Sequence, residues 1–379
     1  MKNPLLLSFF LASPWGLLFF SRESIPSSAK TIVWDSSTLT RVSAPMTGYC
    51  GYARMIQLPD RSLLTVYEAK GNIVCVHSKD LGRTWSIPDT IAAKKDGINM
   101  AVPDIIRLKD NSLIVCYNPR PFKIDTTRPF QIRIQHSTDG GYTWGKEQTL
   151  YRAGYEFANG CWEPSAIQLP SGEIQLFFAN EGPYTHSNEQ EISLLRSHDN
   201  GYHWSRSPET VSFRPGKRDG MPVPVLLRNK QEIAIAIEDN ADGNFKPYII
   251  TNTLTQNWRQ AVGGDDPGRR YALQEKIPRE IYAGAPFLRQ LKSGETILSY
   301  QGTEGRTNKT EFAEMKVVVG DDQATGFSGK SVPFRVPADK CGLWNSICVL
   351  DDDSIVALTS TNAFGRDLEV WMIRGRLVK

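Results

Sequence analysis

Six times along the chain an apolar run breaks on a polar turn and resumes as a second apolar run. The copies begin at Tyr52 (YARMIQLPDRSLLTVYE), Val102 (VPDIIRLKDNSLIVCYN) and Glu163 (EPSAIQLPSGEIQLFFA), then at Met221 (MPVPVLLRNKQEIAIAIE), Ala285 (APFLRQLKSGETILSYQ) and Trp344 (WNSICVLDDDSIVALTS). Short apolar runs bounded by Asp, Asn, Ser, Gly and Lys read as two antiparallel strands joined by a tight turn. A third run follows each pair: GNIVCVHS, FQIRIQHS, EISLLRSH, KPYIITN, EMKVVVG and LEVWMIRG.

After the first three of these comes an octet of one pattern: SKDLGRTW (Ser78 to Trp85), STDGGYTW (Ser137 to Trp144) and SHDNGYHW (Ser197 to Trp204). Their aspartates, Asp80, Asp139 and Asp199, are 59 and 60 residues apart. Asp can bond the amides of its own turn, Gly takes a backbone conformation closed to other residues, and Trp packs the turn onto a sheet. Recurrence at a fixed period marks a structural repeat of about 60 residues. TNTLTQNW and GDDQATGF are decayed copies in the fourth and fifth repeats.

Six repeats of four antiparallel strands predict an all-β, six-bladed propeller. The last repeat lacks a fourth strand, and TIVWDSS (Thr31 to Ser37) has no repeat of its own. Pairing the two closes the ring and removes its open edges. We expect one propeller domain over residues 30–379.

In such a ring the innermost strands start, and the second strands end, at one mouth, while the octets lie on the opposite face. The mouth then collects Tyr52, Val102, Glu163, Met221, Ala285 and Trp344, with Arg54 and Asp104 two residues into their strands. Glu68, Asn118, Ala179, Glu238, Gln301 and Ser360 end the second strands there. Arg120, Glu181, Tyr184, Arg218, Asp219 and Tyr282 fall just outside. The octets are structural and form no site.

Composition narrows the function. The net charge is +3, from 44 basic and 41 acidic residues without a basic run, which argues against a nucleic-acid partner. The N-terminus, MKNPLLLSFFLASPWGLLFF, sets one lysine before an apolar stretch, and residues 1–29 read as a secretory signal peptide. A secreted or periplasmic chain, with no membrane span after processing, is expected. Six cysteines in a chain this long are no disulfide framework. Cys75, Cys116 and Cys348 read as core, and a Cys50–Cys341 bridge stays open. No cysteine or histidine spacing suits a metal, so neither metal nor cofactor is expected, and the chain is expected to be a monomer.

Two carboxylates in apolar surroundings carry the chemical reading. Glu163 sits between Trp162 and Pro164, and Glu238 ends the run IAIAI. Burial raises a carboxyl pKa, and two carboxyls in different settings can divide into proton donor and nucleophile. That is the apparatus for cleaving a glycosidic bond. Aromatic residues such as Trp162, Tyr282 and Trp344 suit the faces of a sugar ring, and Arg54, Asp104 and Arg120 its hydroxyls. Structural readings compete: Glu163 as a strand cap, Glu238 in a buried ion pair with an arginine, and Arg54 with Asp104 as a salt bridge between blades.

The octets are the Asp boxes, or BNR repeats, and the chain resembles the six-bladed sialidase-like propellers over essentially its whole mature length. Sialidases use a tyrosine nucleophile on the first strand of the last blade, where this chain has Trp344. They bind the sialate carboxylate with three arginines, for which Arg54, Arg120, Arg218 and Arg279 are candidates, but the R-I-P motif has no match in GYARM. The segments CWEP and DGMPVP, the strand ending in Glu238, and YNPRP (Tyr117 to Pro121) are instead similar to glycoside hydrolase family 93. Those enzymes are exo-acting α-L-arabinanases that release arabinobiose from linear 1,5-arabinan with retention. The resemblance implies Glu163 as acid/base and Glu238 as nucleophile on an α-linked arabinan-like oligosaccharide. The alternatives are an exo-α-sialidase and a non-catalytic carbohydrate-binding propeller.

Overall fold

The computed structural model describes residues 30–378, apart from 46–47, 124–125 and 242. The expected signal segment, 1–29, lies outside them. Six four-stranded antiparallel sheets follow one another round a ring. Blade 1 holds β2 (Cys50–Gln57), β3 (Leu63–Ala69), β4 (Asn72–Ser78) and β5 (Asp89–Ala92). Blade 2 holds β6 (Ile98–Arg107), β7 (Leu113–Pro121), β8 (Gln131–Ser137) and β9 (Gln148–Arg152). Blade 3 holds β10 (Cys161–Gln168), β11 (Ile174–Asn180), β12 (Glu191–Ser197) and β13 (Glu209–Ser212). Blade 4 holds β14 (Asp219–Leu226), β15 (Glu232–Asp239), β16 (Lys246–Thr253) and β17 (Arg269–Tyr271). Blade 5 holds β18 (Ala283–Gln290), β19 (Thr296–Gly302), β20 (Glu314–Gly320) and β21 (Ser328–Ser331). Blade 6 joins β22 (Gly342–Val349), β23 (Ile355–Thr361) and β24 (Glu369–Val378) to β1 (Thr31–Arg41), the N-terminal strand predicted to close the ring.

The second strand of each blade has a neighbouring blade on both faces, so it is written as a nearly continuous apolar run rather than an alternating one. Strands β3, β11, β19 and β23 are buried at every position. Strand β1 runs antiparallel to β24, from Thr31 opposite Val378 to Arg41 opposite Trp371, with one irregularity between Asp35 and Thr40.

The Asp boxes lie in the turns after β4, β8 and β12, at the strand ends away from the mouth. In the first, Asp80 accepts the Thr84 amide at 2.9 Å and the Ser78 hydroxyl at 2.8 Å. The Ser78 hydroxyl in turn accepts the amide of Gly82, whose φ of 89° suits glycine. Asp139 and Asp199 repeat the scheme. The decayed fifth box, with Val319 in place of the serine, keeps the aspartate's part, Asp321 accepting the Thr325 amide at 2.8 Å. The fourth keeps only its tryptophan: Trp258 is buried and donates to Gln175 at 3.1 Å.

All six cysteines are buried and free, so Cys50 and Cys341 are not bridged. Among the described residues, no helix is long and apolar enough to cross a membrane.

Candidate active site

Every innermost strand leaves regular pairing at the same place. In blade 1, Gly51 pairs with Glu68 and Arg54 with Val66, so Tyr52 and Ala53 together face Tyr67. The same two-against-one bulge begins at Val102, Glu163, Met221, Ala285 and Trp344. At each bulge the first residue is left-handed, with φ of 52° at Tyr52, 49° at Val102, 47° at Glu163, 49° at Met221, 48° at Ala285 and 53° at Trp344. None is a glycine, and each costs about 1–2 kcal/mol that the surrounding sheet must offset.

A bulge of this kind re-aims a side chain. Tyr52, Val102, Met221 and Ala285, with Trp344 and Tyr49 against them, pack into one small cluster. Side chains from five blades can meet only at the ring axis, which places the bulge residues at the mouth. Glu163 is the sixth of these residues and the single charged one.

Directly across from the residue before each bulge stands the end of the second strand. The pairs are Gly51–Glu68, Ala101–Asn118, Trp162–Ala179, Gly220–Glu238, Gly284–Gln301 and Leu343–Ser360. Sizes are complementary: three glycines face the two glutamates and the glutamine, and the large Trp162 and Leu343 face small residues. A Cβ on Gly220 would lie 3.0 Å from Glu238 Oε1, and one on Gly284 would lie 2.6 Å from Glu238 Oε2 and 2.7 Å from the Tyr282 hydroxyl. The Glu238 carboxyl thus occupies room left by two glycines, with Tyr282 beside it.

Glu238 Oε2 accepts the amide of Ala285, the bulge residue of the next blade, at 2.9 Å. Gln301 does the same for the Trp344 amide at 2.8 Å, and the Val102 amide acts on Glu68. The recurring second-strand residue is therefore a cap on the neighbouring bulge in three blades. The buried Glu238–arginine pair considered from sequence is not formed among the described residues; a backbone amide takes one oxygen instead, and Oε1 makes no hydrogen bond there. Burial pushes the Glu238 carboxyl up to about 7, against the Ala285 amide, and the negative charge of Glu163 adds to the rise.

Glu163 caps nothing. Its Oε1 accepts from Arg120 at 2.9 Å, and both side chains are about one-fifth exposed (17% and 20%). Burial raises its pKa, while Arg120 opposes the rise. Arg120 is itself held by Asn118 at 2.7 Å and lies over the Trp162 ring at 4.8 Å. Trp162 is buried and donates to Glu181 at 2.8 Å, and Glu181 pairs with Arg218. The Arg218 charge lowers the pKa of both Glu163 and Glu238.

The remaining sequence candidates separate into two levels. Tyr282 and Trp344 are half-buried and joined through Gln301, which donates to the Tyr282 hydroxyl at 2.8 Å. Trp344 stacks on Tyr52 with ring centres 4.5 Å apart. Arg54 and Asp104 are buried, two residues further into the ring. They form no salt bridge with each other. Arg54 lies over the Phe287 ring at 4.7 Å, and Asp104 accepts the Ser165 hydroxyl at 2.7 Å. Trp162 likewise stands beneath Arg120 as a support rather than as an open wall. Tyr184 stacks on Phe213 and bonds Glu191, and Asp219 belongs to a buried cluster with Arg214, Asp239 and Arg269.

Sequence reading placed Glu68 at the mouth without giving it a role, and did not single out Asn99. Glu68 is the blade-1 counterpart of Glu238, and its carboxyl is also pushed by burial up to about 7. The signal was present: a glycine precedes the bulge in both blades. Asn99 carried none.

Comparison with known proteins agrees with this architecture. Residues 62–213 match the family of BNR repeat-like domains. A sialidase of Micromonospora viridifaciens is 27% identical over 195 residues, covering 47% of this chain and 29% of the relative. The chain thus spans less than a third of the length of that relative. Among solved structures, the family 93 α-L-arabinofuranosidase of Fusarium graminearum with arabinobiose superposes with a TM-score of 0.66 at 17% identity, over 91% of this chain and 98% of the other. The α-L-arabinanase of Penicillium chrysogenum with arabinobiose gives 0.63 at 16% identity, over 92% and 98%. At such identities the likeness is one of fold: this is a six-bladed propeller of the kind that sialidases and arabinanases share.

Proposed function

We propose that the protein is a retaining glycoside hydrolase acting on a neutral, α-linked, arabinan-like oligosaccharide through Glu163 and Glu238, and that residues 1–29 direct its export. One observation carries the reading: the lone charged bulge residue shares the mouth with a carboxyl that burial holds near neutral pH, and the two are electrostatically coupled.

Coupled carboxyls titrate as a pair. Between its two steps the pair keeps one proton, which is the state that double displacement needs. Glu238 is gripped by the Ala285 amide and keeps one oxygen bare, which suits attack on the anomeric carbon. Glu163 then protonates the departing oxygen and, as a carboxylate beside Arg120, activates the water that releases the sugar.

A neutral substrate follows from how the guanidinium groups are engaged. Arg120 and Arg218 are paired with Glu163 and Glu181, and Arg54 is buried against Phe287. Of the four candidates for a sialate carboxylate, only Arg279 is exposed without an ion pair among the described residues.

The test is hydrolysis of aryl α-L-arabinofuranoside, linear arabino-oligosaccharides and an aryl sialoside by the wild type and by Glu163→Gln and Glu238→Gln. Each variant is expected to lose about a hundred- to ten-thousand-fold in kcat with its circular dichroism unchanged. Near-normal turnover in either variant, or preference for the sialoside, would refute the reading.

A further inference from the structure

The ring has a second end, opposite the mouth. There the innermost strands of five blades finish around a cavity of about 520 Å³, to which blades 1 to 5 contribute Ile56, Ile106, Ile167, Val225 and Arg289. Side chains from five blades meet only at the ring axis, so this cavity is the far end of the axial channel. Its inner wall is largely aliphatic, and its charges are all cationic. Arg107 and Lys109 are exposed at the rim, and Arg289 is half-buried further in. Among the described residues no carboxylate lines it.

Arg289 has no counter-charge in contact. It forms no ion pair among the described residues, and its one hydrogen bond there, 2.8 Å long, goes to the carbonyl of Leu288, its own neighbour. Its guanidinium lies over the Phe287 ring, 4.4 Å from the centre. Arg54, one layer nearer the mouth, is built in the same way. It is 6% exposed, bonds only the carbonyl of Ala53, and lies 4.7 Å from the centre of the same ring. Burial disfavours the charge on both, and Arg289 adds to the difficulty for Arg54.

Asp104 is the one carboxylate that acts on both guanidinium groups. Its Oδ2 already accepts the Ser165 hydroxyl. Glu163 also acts on Arg54, but it is paired with Arg120. Two cations against one carboxylate leave a single positive charge on the axis. A buried charge without a counter-charge is costly. One monovalent anion would balance it. A guanidinium is weakly hydrated, and beside aliphatic walls it suits an anion that gives up its own water easily.

We infer that the far end of the axial channel is a binding site for a small monovalent anion of the halide class, held by Arg289 at the inner wall and drawn in by Arg107 and Lys109 at the rim. The anion neutralises the axis where five blades converge, so its binding stabilises the closed ring. The site is independent of the glycosidase reading.

Two measurements test it: the linewidth of the chloride magnetic resonance signal, and the melting temperature as sodium bromide replaces sodium fluoride at constant ionic strength. Fluoride holds its water tightly and serves as the non-binding salt. The wild type is expected to broaden the chloride signal, to lose that broadening when bromide competes, and to melt higher in bromide until one site is full. Two variants pull in opposite directions. Arg289→Gln removes the holding charge and should weaken binding about tenfold, the equivalent of about 1.4 kcal/mol. Asp104→Asn removes the opposing carboxylate, keeps an acceptor for Ser165, and should tighten binding about tenfold. If Arg289→Gln does not fold, Asp104→Asn decides alone. A wild type without a saturable response, an Arg289→Gln variant that responds like it, or an Asp104→Asn variant with unchanged affinity would each overturn the site.

Discussion

Gly220 and Glu238 face each other across β14 and β15, and a Cβ on the glycine would lie only 3.0 Å from Glu238 Oε1 and 2.9 Å from Gln190 Oε1. Gly220→Ala should therefore press on both Glu238 and Gln190 while barely touching the core. We expect kcat to fall about tenfold or more with a melting temperature within a few degrees of wild type. Equal turnover in the two proteins would mean that the carboxyl position does not matter.

Under the proposed mechanism the glutamate pair sets the pH dependence. Glu238 holds its proton up to about 7, and burial raises Glu163 as well, with Arg120 opposing that rise. The singly protonated pair exists between these two steps, so kcat/KM should be bell-shaped, with its alkaline limb near pH 7. Arg120→Met removes the opposing charge, raises the pKa of Glu163 and moves the acid limb to higher pH. A profile flat from pH 5 to 9 would count against the pair.

Roles within the pair are separable by chemical rescue. Glu238→Gly with azide should form a glycosyl azide of inverted configuration, and Glu163→Gly one of retained configuration. Nuclear magnetic resonance of the products decides, and the opposite result would exchange the two assignments.

Glu238 also has a stability consequence. Its pKa in the folded state, about 7, is above the unfolded value of about 4.3, so the folded state binds the extra proton between them. Stability is therefore lost as pH rises through that window and is lowest above pH 7. Glu238→Gln should be more stable than wild type at pH 8 by roughly 1–3 kcal/mol, with the gap closing by pH 4. Denaturant midpoints at the two pH values measure it. The Asp boxes behave in the opposite sense. Hydrogen bonds hold Asp80, Asp139 and Asp199 down to about 2, so their contribution is present above about pH 4 and lost as pH falls towards 2.

Much of this was legible in the chain. The six-fold spacing of the first strands located each bulge residue, because alternation and turn chemistry repeat with the blade. It also located Glu163 and Glu238 at one mouth. Partners were harder to read. Arg54 and Asp104 belong to the same strands as the bulge residues, but they are committed to partners on other blades, Phe287 and Ser165, which spacing within one blade does not express. Trp162 looked like an open wall because the Glu181 side chain that accepts its hydrogen bond comes from beyond the next strand. Nor does the sequence distinguish Glu68 from Glu238, since both cap neighbouring bulges through one shared geometry.

Blade 6 joins residues 31–41 to residues 342–378, with the other five blades between them in the chain. Its seam therefore cannot form until β24 has been made, and until then β1 has no partner. A substitution that weakened the β1–β24 pairing would leave two unpaired strand edges facing each other in the ring, ready to join other chains. The ring is thus held shut by one ladder whose two halves are the most distant strands in the sequence.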